Sequence, residues 1–122
     1  MTGQAMLKFA TDLLGYSNAN GNLQLSARIT GKALVNLNLI YSDLWRICKD
    51  EEFIPLSNIH GEINLPERVL NDVMPYGVAM MIAQNESDGD QQQLYSVLYN
   101  QKRAALSRKD SIEDRLPRCY DL

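Results

Sequence analysis

Histidine and cysteine are scarce in this chain, and their scarcity limits the chemistry it can perform. There is one histidine among 122 residues, His60, and there are two cysteines, Cys48 and Cys119. No nucleophile motif accompanies His60, so neither a catalytic triad nor a Cys-His pair is indicated. The cysteines match neither a disulfide framework nor a metal site, and we interpret them as two unrelated free thiols. We therefore expect no enzymatic activity, no bound metal and no cofactor.

Motifs that would bind phosphate or calcium are incomplete. Residues 15–21, GYSNANG, lack both the lysine of a P-loop and the strand that precedes it. The acids Glu86, Asp88 and Asp90 resemble the opening of a calcium loop. Counted from Asp88, however, the sixth position is Gln93 where glycine is required, and the twelfth is Tyr99 where glutamate is required. A helix cap explains these acids better.

Long apolar runs are also absent. No stretch of eighteen apolar residues occurs, and residues 1–10 lack the basic start and apolar centre of a signal peptide. We therefore expect the protein to stay in the cytosol in which it is made. Its length suits one domain with a real core.

Basic residues are in the minority and are unevenly distributed. The net charge is −3. Residues 1–101 hold 6 basic and 11 acidic residues, a balance of −5, whereas residues 102–122 hold 6 basic and 4 acidic residues, a balance of +2. The acidic body argues against a general nucleic-acid binder. The basic end indicates either an interaction tail or a solvated segment of mixed charge.

What the chain does contain is helical periodicity. Apolar residues recur at steps of three and four through most of its length, which is typical of packed helices. The predicted elements are a helix over 4–14 that stops at Gly15, a loop over 16–22, a long helix over 25–49, an ordered connector over 50–63, a helix over 64–83 and a helix over 91–108. The sequence thus predicts an all-α protein, a compact bundle of about four helices over residues 1–108, with an extended C-terminal arm over residues 109–122.

The third predicted helix is apolar almost all the way round, so we expect it to lie at the centre. Asn64 and Glu67 form a capping box, with Pro66 in the first turn. Pro75 would remove a hydrogen bond inside the helix, which predicts a kink or a break near residues 72–75. Gly77 would then let a neighbouring backbone approach closely.

Expected orientations follow from the same spacing. In the long helix, Tyr41 and Trp45 anchor the core through polar ends that reach partners, while Asn36, Asn38, Ser42 and Asp43 face water or another subunit. In the connector, apolar residues hold the segment in place: Phe53, Ile54, Leu56 and Ile59. In the last helix, Asp90 and Gln93 form a second capping box, and Leu94, Val97, Leu98 and Ala105 point inward, joined by Tyr95, Ala104 and Leu106.

The C-terminal arm keeps large apolar residues without helical periodicity. Ile112, Leu116, Tyr120 and Leu122 are spaced through a charged segment that also contains Pro117. A disordered tail would not need them, so we interpret the arm as a segment that docks on another surface.

Several stretches together resemble a known family. They are LLGYSN at the end of the first helix, LIYSDLWRI at the end of the second, INLPERVLNDVMPYGVAMMIAQNESDG with its leucine-proline-acid start, and the closing helix LYSVLYNQKRAAL. Over residues 6–106 the chain resembles the head-to-tail connector, or adaptor, proteins of tailed bacteriophages, which bind below the portal. The resemblance implies a structural virion protein of the neck, made in the host cytoplasm.

This resemblance also implies partners and sites. Twelve copies would form a ring that extends the DNA channel, with packaged DNA passing through without sequence-specific binding and no membrane involved. The portal protein, neighbouring copies and the next neck or tail protein would be the partners. The arm would contact the portal or a neighbouring copy through the anchors Ile112, Leu116, Pro117 and Tyr120 and the charged residues Arg115 and Arg118.

Two other functions remain open from the residues alone. A small helical DNA-binding regulator would use residues 91–108 as its recognition helix, the only candidate in the chain. A scaffolding or accessory subunit of another assembly would bind a protein other than a portal.

Overall fold

The computed structural model of the chain describes residues 1–15 and 27–115, with side chains described for residues 1–15 and 31–106. These residues form five helices: α1, Gly3–Leu14; α2, Ala27–Cys48; α3, Glu67–Asp72; α4, Met74–Asn85; and α5, Gly89–Arg115. The predicted all-α bundle is confirmed, with α3 and α4 as the two halves of the predicted third helix. The loop predicted over residues 16–22 lies outside the described residues.

Helix α1 ends where the sequence indicated. Gly15 has a φ of 77°, and its N–H donates to the carbonyl oxygens of Thr11 and Asp12. A residue with a side chain is strained in this left-handed conformation, so glycine is the natural stop. At the other end the Thr2 side chain accepts a hydrogen bond from the Ala5 N–H, 3.1 Å away, and begins the helix.

The predicted break near Pro75 is confirmed. α3 ends at Asp72, and α4 begins at Met74, so that Pro75 falls in the first turn of α4, where the missing N–H removes no helical hydrogen bond. The predicted capping box is wrong. Pro66 is the N-cap of α3, and the Asn64 N–H donates instead to the Tyr41 hydroxyl, 2.9 Å away. Asn64, which the local spacing predicts as the cap, therefore takes part in a tertiary hydrogen bond and does not cap the helix.

Helix α4 is central, as its apolar circumference predicts. It packs against α1, α2, α3 and α5. Its buried residues are Met74, Pro75, Gly77, Val78, Ala79, Ile82 and Ala83. At Gly77 an added Cβ would lie 2.7 Å from Cε1 of Tyr99 and 2.9 Å from Cγ2 of Ile40. A ring and a methyl group, rather than the predicted backbone, approach the glycine.

Two glycine substitutions should change stability in opposite directions. Gly77→Ala should lower the free energy of unfolding by about 1 kcal/mol, because overpacking outweighs the roughly 1 kcal/mol of helix propensity gained. The Tyr99 ring cannot swing aside easily, since its hydroxyl is bound to Asp43 at 2.6 Å. Gly31→Ala in α2, where an added Cβ meets nothing within 4 Å, should raise it by up to about 1 kcal/mol. Urea denaturation measures the free energy of unfolding of both variants. If the two substitutions change it in the same direction, this account is contradicted.

The connector between α2 and α3 is held by polar groups of α2. The Asn38 side chain accepts from the Leu56 N–H at 2.8 Å and donates to the Leu56 carbonyl at 3.1 Å. Trp45 Nε1 donates to the Glu51 carbonyl at 2.8 Å. The prediction that Tyr41 and Trp45 anchor the core through polar ends is confirmed. The prediction that Asn38 faces water or another subunit is wrong, because its side chain binds the Leu56 backbone.

The apolar residues of the connector behave differently from one another. Phe53 lies half-buried with its ring edge-to-face against Tyr41 and Trp45, at centroid distances of 5.0 and 6.1 Å. Leu56 and Ile59 are also half-buried. Ile54 is 76% exposed, so the prediction that it helps to hold the connector in place is wrong. Within residues 1–15 and 27–115 the sheet-like pairing is limited to an isolated bridge between Thr2 and Glu62.

Candidate interaction surfaces

The predicted docking arm is partly helical. α5 continues to Arg115, so the predicted end at Arg108 is wrong, as is an extended backbone for residues 109–115. Nothing in KDSIED forbids a helix, and Pro117 is the first residue that does. The site residues Ile112 and Arg115 lie on this helix, and their side chains are outside the described set. Leu116, Pro117, Arg118 and Tyr120 lie outside the described residues, and docking of the arm remains a prediction.

Helix α5 has an apolar stripe on each of two faces. The inward stripe consists of Tyr95, Tyr99 and Leu106, each at most 8% exposed. Leu94 and Val97 are both 50% exposed, and Ala104 and Ala105 beside them are exposed as well. The predicted inward orientation of Leu94, Val97 and Ala105 is therefore wrong, as is that of Ala104, whereas Tyr95 and Leu106 point inward. We call Leu94, Val97, Ala104 and Ala105 the α5 outer face.

Aromatic size and hydroxyl partners explain which stripe of α5 is buried. A tyrosine removes more apolar area from water than a leucine or a valine, and its hydroxyl needs a partner when buried. The Tyr95 hydroxyl donates to the Leu13 carbonyl at 2.9 Å, and the Tyr99 hydroxyl donates to Asp43 at 2.6 Å. Both stripes follow the same spacing, so periodicity could not choose between them. The sequence did contain one sign of a second apolar face, since α5 has more apolar residues than a single buried face can hold.

Helix α2 also carries apolar residues on its outer side. Val35 is 58% exposed and Leu39 is 52% exposed, one helical turn apart. Asn36, predicted to face water or another subunit, is instead 3% exposed, and its Nδ2 has no hydrogen-bond partner in the described part of the chain. We call Val35 and Leu39 the α2 outer face. Because α2 and α5 pack against each other, the two outer faces belong to neighbouring helices.

A polar cluster joins the two helices. Arg103 binds the Asp43 carboxylate with two hydrogen bonds, from Nε at 2.6 Å and from Nη2 at 2.9 Å, and the Tyr99 hydroxyl donates to the same carboxylate. Asp43, predicted to face water or another subunit, is thus an internal acceptor for three donors. Bidentate binding fixes the guanidinium geometry as well as adding energy.

The cluster shifts the pKa values of its members. Burial raises the pKa of Asp43, but the hydrogen bonds from Arg103 and Tyr99 and the positive charges of Arg103 and Arg46 together lower it below 3.8. Burial, followed by the hydrogen bond to Asp43, raises the pKa of Tyr99 above its ordinary value. Asp43 therefore stays ionised and Tyr99 neutral across the physiological range.

The lowered pKa of Asp43 predicts a specific loss of stability in acid. A carboxyl whose pKa is lower in the folded state stabilises the fold above its unfolded pKa of 3.8, and this contribution disappears as pH falls through the folded value. The isosteric variant Asp43→Asn should therefore lose less stability than the original chain between about pH 5 and pH 2. Urea denaturation at several pH values measures the two slopes. Parallel curves would show that Asp43 has the same pKa in both states.

Lys102, the neighbouring basic residue of α5, also forms an ion pair within the chain. Lys102 Nζ lies 3.0 Å from Asp72 Oδ1 and 4.7 Å from the centroid of the Tyr76 ring. With Arg103 bound to Asp43, the described basic residues of the predicted recognition helix are engaged within the chain.

A groove lies beside the connector. It has a volume of about 460 Å³. Its lining residues are Tyr41, Trp45, Glu51, Glu52, Ile54, Pro55, Leu56, Ser57, Asn58, Gly61, Glu62 and Asn64. Glu51, Glu52 and Glu62 are exposed, and no lysine or arginine is among the described residues that line it. Glu62 also lies 2.9 Å from the Met1 amino group. The groove is thus acidic at its rim and apolar at Ile54, Pro55 and Leu56.

None of the helices over residues 1–15 and 27–115 combines the length and apolar composition needed to cross a bilayer. In the same ranges no three His, Cys, Asp or Glu side chains come together as metal ligands would. Asp88, from the acidic stretch resembling a calcium loop, accepts a hydrogen bond from the Gln91 N–H at 3.3 Å. It begins α5 two residues before Asp90, the predicted cap.

Among the described residues, the α2 outer face, the α5 outer face and the acidic groove are therefore candidate interaction surfaces. Comparison with protein-family models, with curated proteins and with solved structures finds no match for this chain.

Proposed function

We propose that the chain is a structural subunit of the head-to-tail connector of a tailed bacteriophage. Copies would assemble as a ring below the portal, extend the DNA channel and present a docking surface to the next neck or tail protein. The proposal comes from the sequence resemblance over residues 6–106. The helical bundle and its outer faces are consistent with it and give it a testable surface.

The structural observation that supports assembly of copies is the α5 outer face together with the α2 outer face. Leu94 and Val97 on α5 and Val35 and Leu39 on α2 each expose half or more of their surface. Apolar residues grouped on a helix face and left in water are typical of protein interfaces. Two different faces on one subunit also suit a ring, because each copy can bind one neighbour through each face, and such heterologous contacts close into rings.

The charge of the body fits a channel through which DNA moves. The balance of −5 over residues 1–101 repels the DNA backbone over a Debye length of about 10 Å. Repulsion would let packaged DNA slide past without sticking. The paired states of Lys102 and Arg103 are consistent with this, since neither offers a free cation to a phosphate.

The decisive experiment mixes the purified full chain with purified portal rings from tailed phages. Negative-stain images should show an added ring of density on the portal, and sedimentation should show the two proteins migrating together. In a gel-shift experiment at moderate salt, the chain should leave the mobility of DNA unchanged.

Two results would reject this proposal. A shift of short DNA duplexes that weakens steeply with salt would indicate the DNA-binding regulator. Stable binding to a different protein assembly with none to any portal would indicate the scaffolding or accessory subunit.

A further inference from the structure

We propose that the acidic groove binds the C-terminal segment, residues 115–122, of a second copy of this chain. This inference rests on the proposed function, in which the arm contacts the portal or a neighbouring copy, but its test requires two copies and no portal. The argument rests on the chemistry of the groove, on the chemistry of the segment and on the length of chain that remains after α5.

The groove offers carboxylates next to an apolar surface. Glu51 and Glu52 are exposed at its rim. Ile54, whose side chain is 76% exposed, and Leu56 supply apolar surface. A ligand that fits this surface carries positive charge and apolar groups a few residues apart. The Tyr41 and Trp45 rings below are buried and hold the groove in shape through their hydrogen bonds to Asn64 and Glu51.

The C-terminal segment has this composition. Its sequence is RLPRCYDL, in which Arg115 and Arg118 flank Leu116 and Pro117. Two arginines match the rim glutamates, and bidentate pairing with carboxylates is the strongest form of that contact. Leu116 and Pro117 between them match Ile54 and Leu56. Proline also lowers the entropy lost when an extended segment is fixed on a surface.

Chain length favours a second copy as the source of the segment. Arg103 lies against Asp43, on the side of α2 opposite Tyr41, because a separation of two residues turns a helix by about 200°. α5 runs on for twelve more residues to Arg115, about 18 Å of helix. The seven residues that follow span at most about 25 Å. To reach the groove of its own copy, the segment after Arg115 would have to run back along the last part of α5 and then around α2. That path would use most of its 25 Å and leave few residues to lie in the groove.

The natural Cys119 provides a direct test by disulfide trapping between two full-length chains. One chain carries Cys48→Ala, Cys119→Ser and Ile54→Cys, and the other carries Cys48→Ala and keeps Cys119. Oxidation of the mixture should give a covalent heterodimer. The matched control replaces Ile54→Cys with Gln84→Cys, which is also exposed but lies outside the groove and outside both outer faces. We expect about tenfold more heterodimer with the groove cysteine than with this control.

Charge reversal tests whether the carboxylates carry the contact. Glu51→Lys with Glu52→Lys should reduce trapping by roughly three- to tenfold, the range expected for two partly exposed ion pairs, and Arg115→Glu with Arg118→Glu in the other chain should restore it. Trapping no greater than with the Gln84→Cys control would overturn the inference. So would a disulfide that forms only within one chain when Ile54→Cys and Cys119 are combined, or trapping indifferent to charge reversal. None of these outcomes depends on portal binding.

Discussion

Replacing Asp43 by alanine should lower the free energy of unfolding by about 2 to 3 kcal/mol. The variant loses three hydrogen bonds to one carboxylate, and bonds to charged groups contribute roughly 1.5 to 3 kcal/mol each. Arg103 is partly exposed and can bind water instead, so the contribution of its two bonds is small. Most of the loss comes from the Tyr99 hydroxyl, because Tyr99 is 4% exposed and would be left without an acceptor.

The matched control for Asp43 is Asp72→Ala. Asp72 also pairs with a basic residue of α5, Lys102, but its side chain is 62% exposed. A surface pair of this kind contributes about 0 to 1 kcal/mol. Thermal unfolding should separate the two variants by several degrees. If they are equally stable, the cluster does not join α2 to α5.

A double-mutant cycle identifies the partner responsible. Tyr99→Phe removes the hydroxyl, so Asp43→Ala should cost less in that background than in the original chain. Strict additivity of the two changes would mean that the 2.6 Å hydrogen bond contributes nothing to stability.

Val97→Asp on the α5 outer face should abolish assembly and leave the fold intact. The side chain is half exposed in the single chain, and valine and aspartate have similar helix propensities. In an interface the same change loses the burial of an apolar side chain and places an unpaired charge there, a cost of at least about 2 kcal/mol. Affinity between copies should therefore fall by roughly 30-fold or more. Sedimentation velocity measures oligomeric state, and circular dichroism verifies the fold.

Gln84→Asp is the control for the added charge. Gln84 is an exposed residue of α4, so the variant carries the same extra negative charge away from both outer faces. It should assemble as the original chain does. Equal loss of assembly in both variants would assign the effect to net charge, and no loss in Val97→Asp would remove the α5 outer face from the interface.

Much of the fold could be predicted because several of its signals are local. Gly15 stops α1 through its own backbone freedom, and Pro75 forces the break that separates α3 from α4. The circumference of α4 is apolar nearly all round, which requires a central position whatever the partners are. Tyr41 and Trp45 were recognisable as anchors because a large aromatic residue with a polar end is stable only where both parts are satisfied.

What could not be predicted depended on competition between residues far apart in the chain. Asn64 has the spacing of a cap, but the Tyr41 hydroxyl, 23 residues away, accepts its N–H. Asn38 and Asp43 look like surface residues until the Leu56 backbone and the Arg103 guanidinium are placed beside them. On α5 the aliphatic stripe has the same period as the aromatic one.

The sequence by itself determined that this chain is helical, where most of its helices lie, that one of them is central and that it breaks near Pro75. Those properties follow from backbone preference and from the total apolar surface, which each segment carries with it. Only the tertiary structure decided which face of α5 meets the core, which polar residues of α2 become internal acceptors and where the acidic groove forms. These outcomes depend on which distant groups can satisfy a buried hydroxyl, amide or carboxylate, and no single segment contains that information.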